Sequence, residues 1–209
     1  TVIGTLTMTD GNVNLSSNTF TLGSSTASPG TLSHALASTN GWMYGGTIQR
    51  YFTAGTTITV GTVAGFFPMG TATDFKPFFL GKNNVANSGG LLSLSYNNTN
   101  ESTSDVSIAD DIGTIIRRHN SFWTSAIVSG FSAGTFSIRA GGTGFGSITS
   151  VDHLRLCQFS SEVGTTSLPN SGTTTSPLIN KTTLTAANLA NNFYVGSVNA
   201  ASPLPIVLA

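Results

Sequence analysis

The carboxylates are the first residues to weigh, because half of them crowd into one stretch. Glu101, Asp105, Asp110 and Asp111 all fall within NNTNESTSDVSIADD, residues 97–111, out of eight acids in the chain. Hard oxygen ligands gathered in a loop suit calcium, but the spacing is neither an EF-hand loop nor a calcium-binding nonapeptide. The competing reading is a solvated acidic loop, the most exposed connection of the chain. Asp110 and Asp111 are adjacent, so on a strand they would face opposite sides, a poor arrangement for two acids that must flank a glycosidic bond. His34, His119 and His153 stand far apart without the close spacing of zinc ligands, and read as surface or strand-end histidines. No Gly-x-Ser-x-Gly elbow between a strand and a helix is present. GGTGFG at 141–146 is followed by no helix whose N–H groups could hold phosphate, so it reads as a turn or bulge. Cys157 is the sole cysteine; it excludes an internal disulfide and, inside the alternating run HLRLCQF, reads as a small buried hydrophobe. These residues predict no catalytic site, no resident cofactor and no enzyme.

Aromatic residues offer a different chemistry. Trp42, Tyr44, Tyr51 and Phe52 lie in one strand region, and Trp42 and Tyr44 share a face at period 2. An exposed pair could stack on a sugar ring; packed inward, the same pair would fill a sandwich core. Basic residues are few. Eight Lys and Arg with zero formal net charge leave no phosphate-neutralising patch, which argues against nucleic acid. Arg117-Arg118 is the one basic pair and reads as a solvated strand end. No apolar run approaches the roughly 18 residues that would cross a membrane as a helix. No secretory leader opens the chain, as expected of a processed chain.

The elements that must carry these residues are short and β-like. Charged residues make up 8% of the chain, against about 25% in ordinary domains, and hydroxyl residues take their place, as in extracellular β proteins. Thirteen Phe and 39% hydrophobic residues still provide for a core. Helical periodicity is almost absent; TTLTAANLANNF, 182–193, predicts a single capped turn. The opening GTLTMTDGNVNLSSNTFTLG breaks into strands of three to five residues with Asp10-Gly11 as a turn signal, which suits a meander or the rungs of a β-solenoid. From residue 40 the strands lengthen: WMYGGTIQRYFTA, TTITVGTV, KPFFLG, GGLLSLSYN, SFWTSAIVSG, GTFSIRAGG, DHLRLCQFSS and NFYVGSVN. The predicted fold is all-β, with short solenoid-like or meander N-terminal strands in 1–40 leading into an antiparallel β-sandwich of jelly-roll or Ig-like kind in 41–209, as one continuous unit.

Several of these pieces form a familiar set: GTLTMTDGNVNLSSNTFTLG, GWMYGGTIQRYFTAG, FFPMGTATDFKPFFL, RRHNSFWTSAIVSGF and the terminal FYVGSVNAASPLPIVLA. Together they resemble a module of large secreted and cell-surface proteins of Bacteroidota exported by type IX secretion. The resemblance implies an all-β extracellular module of adhesins, surface filaments or gliding-associated proteins, without a general catalytic role. It also implies that PLPIVLA stands at the junction with a C-terminal sorting domain.

Two functional expectations follow. In the first, the chain is a structural protein of the cell surface that self-assembles, or joins neighbouring modules, by strand addition. Val2, Ile3 and Leu6 at one end, and Leu204, Ile206 and Leu208 on one face of an extended tail, are the residues expected to carry the contact. In the second, it is an adhesin or carbohydrate-binding module that meets surface glycans through Trp42 and Tyr44.

Overall fold

A computed structural model describes residues 1–84 and 88–200. Among the described residues the chain is mostly β, in several sheets, with no closed barrel. Its first part is built by parallel stacking. Strands β1 (Thr5–Thr7), β2 (Val13–Asn14) and β3 (Thr19–Leu22) form one coil, and β4 (Thr31–Ser33), β5 (Met43–Tyr44) and β6 (Thr47–Phe52) form the next. Each strand of the first coil lies parallel to its counterpart in the second, with Thr5 beside Thr31, Val13 beside Met43 and Thr19 beside Thr47. Leu32, Met43 and Ile48 fill the interior. Coils stack this closely only where side chains are absent from the corner: a Cβ on Gly41, at φ +78°, would lie 1.8 Å from the Gly11 carbonyl oxygen. The expected boundary at residue 40 therefore falls inside the second coil, and parallel stacking runs on to β8, introduced next.

The third coil is where the solenoid becomes a sandwich. After β7 (Phe66–Phe67), strand β8 (Met69–Gly70) continues the stack on β5. Above β6 the next strand is β10 (Gly90–Asn97), which runs antiparallel. The place above β4 is taken by a 3-10 turn at Val63–Gly65. TTITVGTV, expected as a strand, is instead a looping segment with a single bridge from Ile58 to Lys82. Its β-branched residues are outweighed by turns around Gly55 and Gly61, both at positive φ.

The remaining strands are β9 (Phe78–Lys82), β11 (Thr103–Asp110), β12 (Gly113–Gly130), β13 (Phe136–Gly141), β14 (Leu154–Cys157), β15 (Thr165–Thr166), β16 (Ser171–Gly172), β17 (Pro177–Leu184) and β18 (Asn192–Ser197). One sheet has the order β14-β18-β12-β10-β6-β3 with β11 on β12; the other runs β15-β17-β13-β9-β7 with β16 on β17. They share one core: Phe78 of the second sheet meets Phe193 of the first, ring centres 5.9 Å apart, and Trp123 donates its indole N–H to the Lys76 carbonyl at 3.0 Å. The expected helical turn is α1 (Ala186–Leu189), closed by a capping box between Thr185 and Asn188. The stretch 97–111 departs from expectation: most of it is β11, hairpin-paired to the 18-residue β12. Alternation in TSDVSIAD was present, but the acids masked it.

Candidate functional site

The acid-rich hairpin end holds the densest polar cluster. Asp110 ends β11 and its side chain is wholly buried, as is that of Lys181 in the middle of β17. The Lys181 ammonium donates to Asp110 Oδ1 at 2.8 Å, to Thr166 Oγ1 at 2.8 Å and to Glu162 Oε1 at 3.3 Å. It also lies 3.9 Å from Asp111 Oδ1. Arg155 of β14 donates from Nε to Asp110 Oδ2 at 3.0 Å, and the Thr166 hydroxyl donates to the same carboxylate at 2.9 Å. Both Asp110 oxygens are thus met by donors, as a buried carboxylate requires. Burial raises the pKa of Asp111, but the Thr166 and Lys181 contacts outweigh it and hold the group below the usual carboxylate value.

Asp110, Asp111 and Glu162 bring their oxygens within 4.8 Å of one another, a spacing that could ligate a cation. The position among them already holds one, the Lys181 ammonium. The set weighed for calcium does not converge: Asp105 turns to Arg117 at 3.1 Å, and Glu101 is outside the trio. The cluster instead ties the β11–β12 hairpin to the opposite sheet. Glu162, Lys181 and Arg155 were not singled out from sequence. The available signal was parity, since Lys181 alternates with the buried Ile179 in PLINKTTL.

Other candidates take internal roles. Trp42 is 9% exposed; its indole N–H donates to the Thr71 carbonyl at 2.6 Å and its ring packs 5.6 Å from Phe75. Its remaining edge lines a hollow with Thr39, Thr73 and Thr143, which Tyr44 does not reach, so the two do not form one sugar platform. Of the basic pair, Arg117 is partly exposed beside Asp105, but Arg118 is buried. Its guanidinium lies 4.1 Å from the Phe159 ring centre and 4.6 Å from that of Tyr194, and it donates to the Phe159 carbonyl. The reading of this pair as a solvated strand end is corrected: both residues lie within β12, and Arg118 is buried under aromatic rings.

The histidines stay apart. His34 contacts the Gly41 carbonyl at 2.9 Å, His153 lies beside Asn199, and His119 is buried against Ser121 and Phe145. Burial, with the Lys76 charge adding to it, lowers the His119 pKa to about 4. Cys157 is buried, which pushes its thiol up to about 12, away from nucleophilic use. In the 141–146 run a Cβ on Gly142 would lie 1.9 Å from the Phe75 carbonyl oxygen; the glycines serve a close chain approach.

The N-terminal candidates lie at the outer coil. Val2 is bridged in parallel to Leu22, Leu6 is half-buried inside the coil, and Ile3 is 64% exposed. Leu204, Ile206 and Leu208 lie outside the described residues. No family model, curated protein or solved structure matches this chain.

Proposed function

We propose that the chain is a non-catalytic structural module of the bacterial cell surface, of the kind exported by type IX secretion in Bacteroidota, joined to its neighbours by stacking of β-solenoid coils. The observation that carries this reading is the outer coil, left uncapped at β1 and β2 while Val2 covers part of β3. Among the described residues β1 pairs only with β4 and β2 only with β5. The Val13 and Leu15 N–H groups point inward to the Trp42 and Tyr44 carbonyls, each at 2.8 Å. In a parallel ladder the intervening residue faces the other way, so Asn14 offers its backbone outward. Leu6, Leu15 and Phe20 remain half-buried in the coil interior, and an open β edge over apolar side chains is a template for further strands. A coil from a second copy would cover both, and a contact of that head-to-tail kind propagates as a fibre. The other part is a sandwich of jelly-roll kind in this reading, supported by the way the chain passes between the two sheets at most connections.

The test is light scattering over a concentration series with negative-stain microscopy. Concentration-dependent oligomers or fibres are expected, and they should be lost in Thr5→Lys/Thr7→Lys, which charges the exposed edge of β1 without touching the interior. Deletion of residues 203–209 asks the same of the tail. Assembly that survives the lysines, or a wild-type chain that stays monomeric at every concentration, overturns the reading.

A further inference from the structure

A cavity of about 350 Å³ lies at the junction of solenoid and sandwich, between β4, the end of β6 and the segment that follows it. Its wall combines the hydroxyl residues Thr53, Thr56 and Thr57 with the apolar Leu32, Ile58 and Val63. Arg50 also lines it, although the residue is only 4% exposed. Arg50 alternates with the buried Ile48 and Phe52 on the inner face of β6, a place where a charge needs a reason.

The guanidinium is half used. Nη1 donates to the Phe66 carbonyl and, at 3.2 Å, to the Val63 carbonyl. Nε is buried with no hydrogen-bond partner, and all of Arg50's hydrogen bonds among the described residues leave from Nη1. Nη2 is therefore left without an internal partner, able to donate a charge-assisted hydrogen bond to a carboxylate. Among the described residues no carboxylate pairs with it: the ion pairs join Arg117, Arg155 and Lys181 to acids, and none involves Arg50. A second cation stands behind the same segment: buried Lys82 donates to the Thr53 carbonyl and, at 3.4 Å, to Thr56 Oγ1. Burial lowers the Arg50 pKa only to about 10, so the positive charge persists at neutral pH.

We propose that this cavity binds a sugar acid of monosaccharide size, with its carboxylate on Nη2 of Arg50. Hydroxyl groups of the sugar meet Thr53, Thr56 and Thr57, and its ring carbons lie against Ile58 and Val63. The volume is at the small end of ligand cavities, roughly 300–1,000 Å³, enough for one pyranose and too little for a chain of them. The site belongs to a single copy and does not depend on coil stacking.

The test is an NMR titration following the Arg50 Nε–Hε resonance, with galacturonate, galactose and inorganic phosphate as probes. Galacturonate should shift it saturably and bind at least tenfold more tightly than galactose or phosphate. Thr57→Tyr, an exposed wall position, should abolish the shift while leaving the melting temperature in place. Arg50→Lys keeps a charge but loses the planar guanidinium that holds Nη2 in place, and should weaken binding by tenfold or more. An unmoved resonance, equal response to galactose, tighter binding of phosphate, or full binding by Thr57→Tyr each overturns the proposal. The Thr57 variant keeps the test decisive if the Arg50 variant fails to fold.

Discussion

Buried cations in this protein live in two kinds of surroundings. Around Asp110 they meet carboxylates: Lys181 and Arg155 share one buried acid, with Asp111 and Glu162 at the margin. Elsewhere they meet carbonyls and ring faces. Lys76 lies 3.6 Å from the Phe145 ring centre and donates to the Thr143 carbonyl. Arg50 lies 5.5 Å from Phe52 and 5.8 Å from Phe67, and Lys82 donates to Thr53 and Thr56. Carbonyl dipoles and ring quadrupoles satisfy a cation's donors without cancelling its charge. Burial accordingly lowers the pKa of Lys76 to about 8, against the pull of Asp74 and Glu101, and lowers that of Lys82 as well. The first arrangement breaks badly when one partner is lost, and the second carries a standing cost that a neutral side chain would remove.

The largest effect should come from breaking the matched cluster. Asp110→Asn leaves two buried cations without their shared anion, and removing one partner of a buried pair costs about 3–5 kcal/mol. Urea denaturation at neutral pH measures it. Lys181→Met in the same background should cost much less than it does alone, because the two changes act on one interaction. Additive losses would show that the carboxylate–ammonium contact contributes little.

Mild acid should separate the two regions next. His119 packs edge-on to Phe145, whose ring also carries Lys76, and its folded pKa of about 4 lies below the ordinary imidazole value of 6.5. Between those values the unfolded chain binds the proton that the folded chain refuses, so stability falls as pH drops from 6.5 towards 4. The shift corresponds to about 3 kcal/mol. Asp111, whose pKa is depressed, loses its contribution only as pH falls further, below the ordinary carboxylate value of 3.8. A melting series from pH 7 to 4 should therefore decline in the wild type and flatten in His119→Phe. An unchanged slope in the variant would place the proton uptake elsewhere.

These clusters also show how much of the molecule was legible beforehand. Period-2 alternation identified most strands and the burial of Cys157, and a Thr ahead of Ala-Ala-Asn-Leu-Ala identified the capped turn, because those are local properties. The parallel coils were legible only as a leaning, since the pairing of Val13 with Met43 is a contact across the chain. In β11 the alternation was overruled by polarity: Val106 and Ile108 lie among acids, and the stretch read as a loop. Arg50 and Lys181 were readable by parity with Ile48 and Ile179, yet nothing local says whether an inward cation will meet an acid, as Lys181 does, or only carbonyls. That depends on which segments fold over it: Asp110 reaches Lys181 across 71 residues, whereas the carbonyls that meet Arg50 come from 13 and 16 residues on.

The smallest effect, and the one of opposite sign, belongs to Lys82. Its side chain is buried in β9, and its ammonium is held by a carbonyl and a hydroxyl of Thr53 and Thr56, both on exposed residues. Methionine has nearly the same length and no charge to desolvate, and water can replace the ammonium at an exposed carbonyl. Lys82→Met should thus leave stability unchanged or raise it by up to about 1 kcal/mol, since trading buried charge for an apolar side chain of similar shape is often neutral or favourable. The wild type carries the depressed pKa, so its stability should rise with pH as the folded-state ammonium deprotonates ahead of the unfolded one. Any part of that rise due to Lys82 should vanish in the variant. Urea denaturation at pH 7 and pH 10 gives both numbers. A loss of several kcal/mol at pH 7 would mean that Lys82 is matched after all, by a group that its surroundings do not reveal, and the contrast with Asp110 would fail.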